Sequence, residues 1–170
     1  LQEMSAEIIA AHSELSKESI LQTFTAQMGY ATPKIDVRGA VVRDGKVLLV
    51  QESADDKWAL PGGWADIGDM PSAMVEREVW EESGFEVRVD KLIAVYDANR
   101  IEPMEFYHAY KLIFLCTITG GEAATSIETN SVDFFAPNAL PPLSAFRTNE
   151  KMLAEVFAQI ENPNRPASFE

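Results

Sequence analysis

The sequence predicts an α/β layered domain behind a helical arm, and three observations predict it. Two apolar-rich runs, Ile35–Val42 and Lys46–Gln51, meet at Asp44-Gly45, a dipeptide that favours the tight turn of a β-hairpin. One central stretch, Gly62–Phe85, reads as a glycine-rich turn followed by a helix. A late segment after Thr148 places apolar residues at helical spacing, and further strand-like runs lie between the two helices.

Taken in order, residues 1 to about 30 read as two short helices. Met4, Ile8, Ile9 and Ala11 fall near helical spacing. Ser16 then opens a second segment with Ile20, Leu21 and Phe24 on one face, and Gly29 ends it. After the hairpin, Ser53–Lys57 is a polar loop, and Trp58-Ala59-Leu60-Pro61 leads into the central stretch. There Pro71 suits the first helical turn, where its missing N–H has no partner anyway. Asp69 stands ready to cap the exposed amides, Gly84 offers the left-handed position that ends the helix, and apolar Phe85 follows. Phe85–Tyr96 reads as a strand carrying Val87, Val89 and Leu92, and Asp97–Glu105 as a loop with Pro103. Phe106–Thr119 is a second long strand, opening with Phe106, Tyr107 and Tyr110 around His108, and Gly120-Gly121 is expected to break it. Val132–Phe135 is a short strand and Pro137–Pro142 a turn-rich connection. Thr148 is expected to cap a final helix with Met152, Leu153, Val156, Phe157 and Ile160 on its core face. The resulting division is a helical arm over 1–32, one domain over 33–162 and a loosely held tail over 163–170.

Composition narrows the classes. At 170 residues, the chain is long enough for one domain with a sizeable core, and 46% apolar with 24% charged residues is ordinary for a globular chain. It starts at Leu1 rather than Met, which leaves room for residues upstream. No apolar run approaches membrane-spanning length and no signal peptide is visible, so no membrane partner is expected. A net charge of −13 argues against nucleic acid, whose backbone is gripped by clustered Lys and Arg. A small phosphorylated substrate stays open, because a bound metal reverses the local field. Cys116 is the sole cysteine, lies in an apolar run, and reads as an inert buried thiol. A chain without an internal disulfide fits a reducing cytoplasm.

The chemistry concentrates on the central helix. At about 100° per residue, Glu78, Glu81 and Glu82 share an arc about 100° wide. Val75 and Val79 lie beside the arc and can face a core. Three carboxylates so close repel one another, and Arg77 is the local relief. A hard divalent cation such as Mg²⁺ would relieve the rest, since it takes carboxylate oxygens. A solvated acidic helix face is the plainer alternative for any Glu-rich helix.

The spacing decides between them. From Gly63 the chain runs five residues to Asp69, seven more, then Arg77-Glu78-Val79-x-Glu81-Glu82-x-Gly84-Phe85. This closely resembles the signature box of the Nudix hydrolases, G-x5-E-x7-R-E-U-x-E-E-x-G-U, where U is a bulky apolar residue. Nine specified positions span 23 residues, and one departs: Asp69 stands where the family usually has Glu. The resemblance covers roughly Lys34 to Ile160 and implies an α/β/α sandwich, with a mixed sheet between helices and the box helix against one face. It implies a pyrophosphohydrolase that needs Mg²⁺ or Mn²⁺, held by Glu78, Glu81 and Glu82 with a backbone carbonyl at Gly62. Arg77 is implied to orient the glutamates, and Gly62 and Gly63 to let the backbone approach the metal and phosphates. Asp69, with its shorter arm, is more simply a helix cap.

The base and the substrate are less constrained. In this family the base is either a box glutamate or a residue from a distant loop. Glu102, Glu105, Glu122 and Glu128 are the loop candidates, with Glu105 carried forward. Each alone also reads as a solvated surface acid, and His12 and His108 as ordinary structural imidazoles. Arg38, Trp58, Tyr96, Asp97 and Arg100 are the candidate substrate contacts, though a large aromatic such as Trp58 serves packing equally well. Substrates in this family are nucleoside diphosphates joined to a group X. The arm followed by GYATPK resembles the CDP-choline pyrophosphatase branch, with ADP-ribose or another nucleotide sugar as the alternative. The ADP-ribose branch carries a proline where this chain has Ile101, and Pro103 comes two later. A Nudix-fold module that senses a nucleotide without cleaving it is the non-enzymatic alternative; such modules lose box acids, and all three are present here. The apolar positions of the arm, which two short helices cannot bury alone, point to a homodimer that uses the arm or the sheet surface.

Overall fold

The computed structural model describes residues 2–13, 15–26, 32–101 and 108–169. The chain divides into two compact units, Leu1–Thr32 and Pro33–Glu170. The first unit is a helical hairpin of α1 (Gln2–Ala11) and α2 (Lys17–Ala26). Ser16 caps α2, its Oγ accepting from the Ser19 N–H at 3.1 Å, and Lys17 pairs with Glu7 on α1. Ala6 and Ile20 are buried, while Met4, Ile8 and Leu15 stay largely exposed. Gly29 lies outside the described residues.

The second unit is a mixed sheet between two helices. Its strands are β1 (Lys34–Arg43), β2 (Lys46–Glu52), β3 (Trp58–Ala59), β4 (Phe85–Asp97), β5 (Ala109–Gly121), β6 (Thr129–Phe135) and β7 (Ser168–Phe169). Their order is β3-β2-β1-β5-β4-β7, with β6 paired to β2. β1 runs parallel to β5, from Lys34 opposite Ala109 to Val41 opposite Cys116, and β4 runs antiparallel to β5. The β1–β2 hairpin turns at Asp44 (φ 53°) and Gly45 (φ 72°), as the dipeptide predicts.

Period-two alternation sends the side chains of each strand to two cores. Val37, Val41, Leu48 and Phe114 meet Met74, Val75 and Val79 of α3 (Pro71–Ser83). Ala40, Val47, Leu49 and Ile113 meet Met152, Leu153 and Val156 of α5 (Glu150–Glu161). The Val47–Val50 run is wholly buried because β2 is covered on both faces. At Gly39 the sheet and α3 come so close that a Cβ would lie 2.5 Å from Val79 Cγ2.

Several local expectations change. Asp69 does not cap α3; Met70 holds the N-cap position without a side-chain bond, and Asp69 instead meets Arg77 at 2.9 Å. Gly84 does end the helix, at φ 76°, with its N–H on Trp80 O. Thr148 does not cap α5: Asn149 does, accepting the Met152 N–H at 3.0 Å. The Thr148 hydroxyl is taken by the Leu60 N–H at 2.8 Å, a long-range bond that local spacing cannot reveal. Gly120-Gly121 does not break β5, which pairs with β4 through Gly121 opposite Phe85. The segment after β4 begins with a short helix, α4 (Ala98–Ile101); Glu102 to Tyr107 lie outside the described residues. The tail is held rather than loose. Lys91 Nζ donates to Pro163 O, Gln159 to Pro166 O, Arg165 pairs with Glu155, and β7 adds to the edge of β4. Among the described residues no helix is long and apolar enough to cross a membrane.

Candidate active site

A cleft of about 550 Å³ opens where α3, the glycine turn and the ends of β1 and β2 meet. Its construction starts with β1. The backbone N–H of Val37 donates to Gly63 O, that of Gly39 to Pro61 O, and Ala65 N–H donates back to Ile35 O. These bonds zip the turn along the strand. Gly62 sits at φ 139°, and a Cβ there would lie 2.0 Å from Val37 O, so only glycine fits this approach. Leu60 O accepts from Arg38 Nη1. Of the carbonyls from Leu60 to Gly63, only Gly62 O takes none of the described hydrogen bonds.

The box glutamates share the opposite wall. Glu78, Glu81 and Glu82 all line the cleft, and Glu82 Oε2 accepts the Gly62 N–H at 2.9 Å. Burial pushes the Glu82 carboxyl up to about 7; the Gly62 N–H and Arg38 oppose the shift, while Glu52 and Glu78 add to it. Glu78 is also raised, first by burial and then by Glu81. Glu81 is exposed. Arg77 stands outside the cleft lining, with Nη2 2.9 Å from Asp69, 3.7 Å from Asp66 and 3.8 Å from Glu78. It bridges the residue at the departing box position to the first box glutamate. Among the described residues, no three His, Cys, Asp or Glu side chains converge closely enough to enclose an ion. Mutual repulsion of the box carboxylates favours such an open arrangement.

The floor is a buried charge cluster. Asp36 takes Arg38 Nε at 2.7 Å and Nη2 at 3.1 Å, and Lys111 Nζ at 2.6 Å. Burial works to raise the Asp36 carboxyl, but the two cations outweigh it and hold it below the usual range. Lys111 is lowered, chiefly by burial. Glu52, at the end of β2, is raised by burial against the pull of Arg147, whose Nε lies 3.1 Å away.

Four expected substrate contacts do not line the cleft. Trp58 packs edge-on against Phe135 at 4.7 Å and joins the α5-side core. Tyr96 is buried in that same core. Asp97 meets His108 at 3.2 Å and Arg100 at 3.6 Å at the end of β4. Arg38 does line the cleft, yet it is buried and its Nε, Nη1 and Nη2 are all engaged. Of the loop glutamates, Glu128 lines the cleft, Glu122 does not, and Glu102 and Glu105 lie outside the described residues. Sequence reading missed Asp36, Glu52, Trp64, Phe146 and Arg147. For Asp36 a signal existed, because a charge between Ile35 and Val37 inside an apolar strand needs a partner.

Comparison with known proteins follows the same lines. A family model described as the NUDIX domain matches residues 33–156. YjhB of Bacillus subtilis, provisionally named an ADP-ribose pyrophosphatase, is 40% identical over 171 residues, spanning 100% of this chain and 82% of its own. The crystal structure of an ADP-ribose pyrophosphatase from Streptococcus suis is similar at a TM-score of 0.75 and 34% identity, covering 82% of this chain and 100% of that one. The crystal structure of a UDP-X diphosphatase is similar at 0.77 and 32%, covering 97% and 80%.

Proposed function

The chain belongs to the Nudix family of hydrolases, and on that premise we propose that the cleft hydrolyses the diphosphate of a nucleoside diphosphate joined to a group X. The products are a nucleoside monophosphate and phospho-X. One observation carries this reading: Glu78, Glu81 and Glu82 share one cleft wall, with Glu82 bonded to the Gly62 N–H of the turn.

Nudix hydrolases generally depend on a divalent cation, and the donor set here fits Mg²⁺ or Mn²⁺. The hard carboxylate oxygens of Glu78, Glu81 and Glu82 line the same cleft as Gly62, and an ion held among them and the Gly62 carbonyl would offset the like-charge repulsion. Such an ion, when bound, would supply charge neutralisation at the diphosphate and a more acidic water. The chain's own residues do the rest. Gly62 brings backbone close to the phosphates, and its N–H fixes the Glu82 carboxylate. Arg77 steadies Glu78 while Asp69 holds Arg77. Of the loop candidates among the described residues, Glu128 lines the cleft, and in this reading it takes the proton of the attacking water.

CDP-choline is the first substrate reading, supported by the arm and the GYATPK segment. ADP-ribose is the second, supported by the names of YjhB and the Streptococcus suis protein. The exposed apolar residues Met4, Ile8 and Leu15 support a homodimer, and the sole, buried cysteine supports a cytoplasmic setting. A panel of CDP-choline, ADP-ribose and UDP-sugars with Mg²⁺ or Mn²⁺, products resolved by chromatography, tests the reading. Nucleoside monophosphate and phospho-X in equal amounts are expected. No turnover of any member would overturn the proposal.

A further inference from the structure

Six carboxylates line the cleft (Asp36, Glu52, Glu78, Glu81, Glu82 and Glu128), against two cations, Arg38 and Arg147. A diphosphate entering so acidic a site needs a cation that can meet it. Arg38 is poorly suited. It is 4% exposed, and its Nε, Nη1 and Nη2 are already bound to Asp36 and to Leu60 O.

Arg147 is more open and less fully bound. Its side chain is 29% exposed and it lines the cleft. Its described contacts engage Nε with Glu52 at 3.1 Å and Nη1 with Ser144 Oγ at 3.4 Å, and none engages Nη2. Its position is fixed relative to the glycine turn. Ser144 N–H donates to Trp58 O, Trp58 N–H to Pro142 O, and Leu60 N–H to the hydroxyl of Thr148, the residue after Arg147. Ser144 Oγ anchors the same loop to Asp55 at 2.8 Å. The loop that carries Arg147 is thus laced to the strand that leads into Gly62.

We propose that Arg147 grips the diphosphate of the substrate with its Nη1–Nη2 edge, exchanging Ser144 Oγ for phosphate oxygens while Nε stays on Glu52. This rests on the hydrolase reading above. A planar guanidinium matches phosphate oxygens in pairs, and a diphosphate offers negative charge that the Ser144 hydroxyl lacks. Glu52 already holds Nε at 3.1 Å, so less side-chain freedom is lost on binding.

The test measures kcat and KM for the panel substrate turned over best, in wild type and in Arg147→Gln, Arg147→Ala and Arg147→Lys. Thermal melts and calorimetric titrations with inorganic pyrophosphate plus Mg²⁺ accompany the kinetics. Arg147→Gln is expected to raise KM tenfold or more, keep kcat within a few fold, weaken pyrophosphate binding by a similar factor and still melt cooperatively, at a lower temperature because Glu52 loses its partner. Arg147→Lys, which keeps the charge but not the fork, is expected to fall between. Arg147→Ala supplies the same loss should the glutamine variant not fold. A KM and a pyrophosphate affinity within twofold of wild type in a folded variant overturn the assignment. Pyrophosphate binding that depends on Arg147 in a wild type without turnover sinks the hydrolase reading and leaves the grip standing. A wild type that neither binds nor turns over sinks both.

Discussion

Glu82 holds two opposing demands in one side chain. It must carry charge toward a cation, yet it is 7% exposed with Glu52 and Glu78 nearby. Its folded pKa of about 7 lies above the ordinary value of 4.5, so ionising it opposes folding. The penalty is absent below the unfolded pKa, grows as pH rises, and is complete above the folded pKa. Raising the carboxyl from 4.5 to about 7 corresponds to at most about 3.5 kcal/mol. In metal-free protein, Glu82→Gln is therefore expected to gain stability over wild type at pH 8 and little near pH 4.5. Urea melts at both pH values check this, and an equal difference at the two would contradict it. Activity should go the other way. Losing about 4 kcal/mol of transition-state stabilisation slows turnover roughly a thousandfold. Glu76→Gln should cost little, because Glu76 does not line the cleft and uses its Oε1 to accept the Val89 N–H, which an amide oxygen can also do. The kcat of the two variants at saturating Mg²⁺ separates the faces of α3. The three glutamates could be found from the chain because helical spacing alone groups them. Glu52 and Arg147 could not, since tertiary bonds bring together residues that lie far apart in sequence.

At the scale of elements, the site depends on how closely α3 lies on β1. A Cβ at Gly39 would meet Val79 Cγ2 at 2.5 Å and Val75 Cγ1 at 3.3 Å, and Val79 adjoins Glu78. A branched side chain gives way poorly, so Gly39→Ala should push the helix outward at a cost of about 1–3 kcal/mol. Because that shift moves Glu78 and Glu82 relative to Gly62, kcat should fall as well. Adding Val79→Ala removes the opposing methyl and should recover part of both losses. Melts and kcat for the two single variants and the pair test this; simple additivity would show that the contact does not set the spacing. Elements were legible where the signal is local: the Asp44-Gly45 turn, the box helix and its Gly84 stop. They were misread where a long-range partner decides. Thr148 looked like a cap and is held by Leu60. The tail looked loose, but Arg165, Pro163 and Pro166 tie it to α5 and β4.

At the scale of the molecule, a chain of net charge −13 concentrates acid at a cleft that must receive a polyanion. A divalent cation would reconcile the two, and in the proposed homodimer the arm would supply the surface for assembly. The exposed Met4, Ile8 and Leu15 predict a dimeric mass by sedimentation at micromolar concentration, reduced to a monomer when all three become Ser. A wild type that is monomeric throughout would remove the arm from that role. The most direct test of the whole account is turnover of the preferred nucleoside diphosphate compound as the cation is withdrawn and returned. Dialysis against excess chelator should abolish hydrolysis while leaving the fold intact. Mg²⁺ or Mn²⁺ should restore it in the wild type but not in Glu82→Gln. Full turnover in excess chelator would contradict the account.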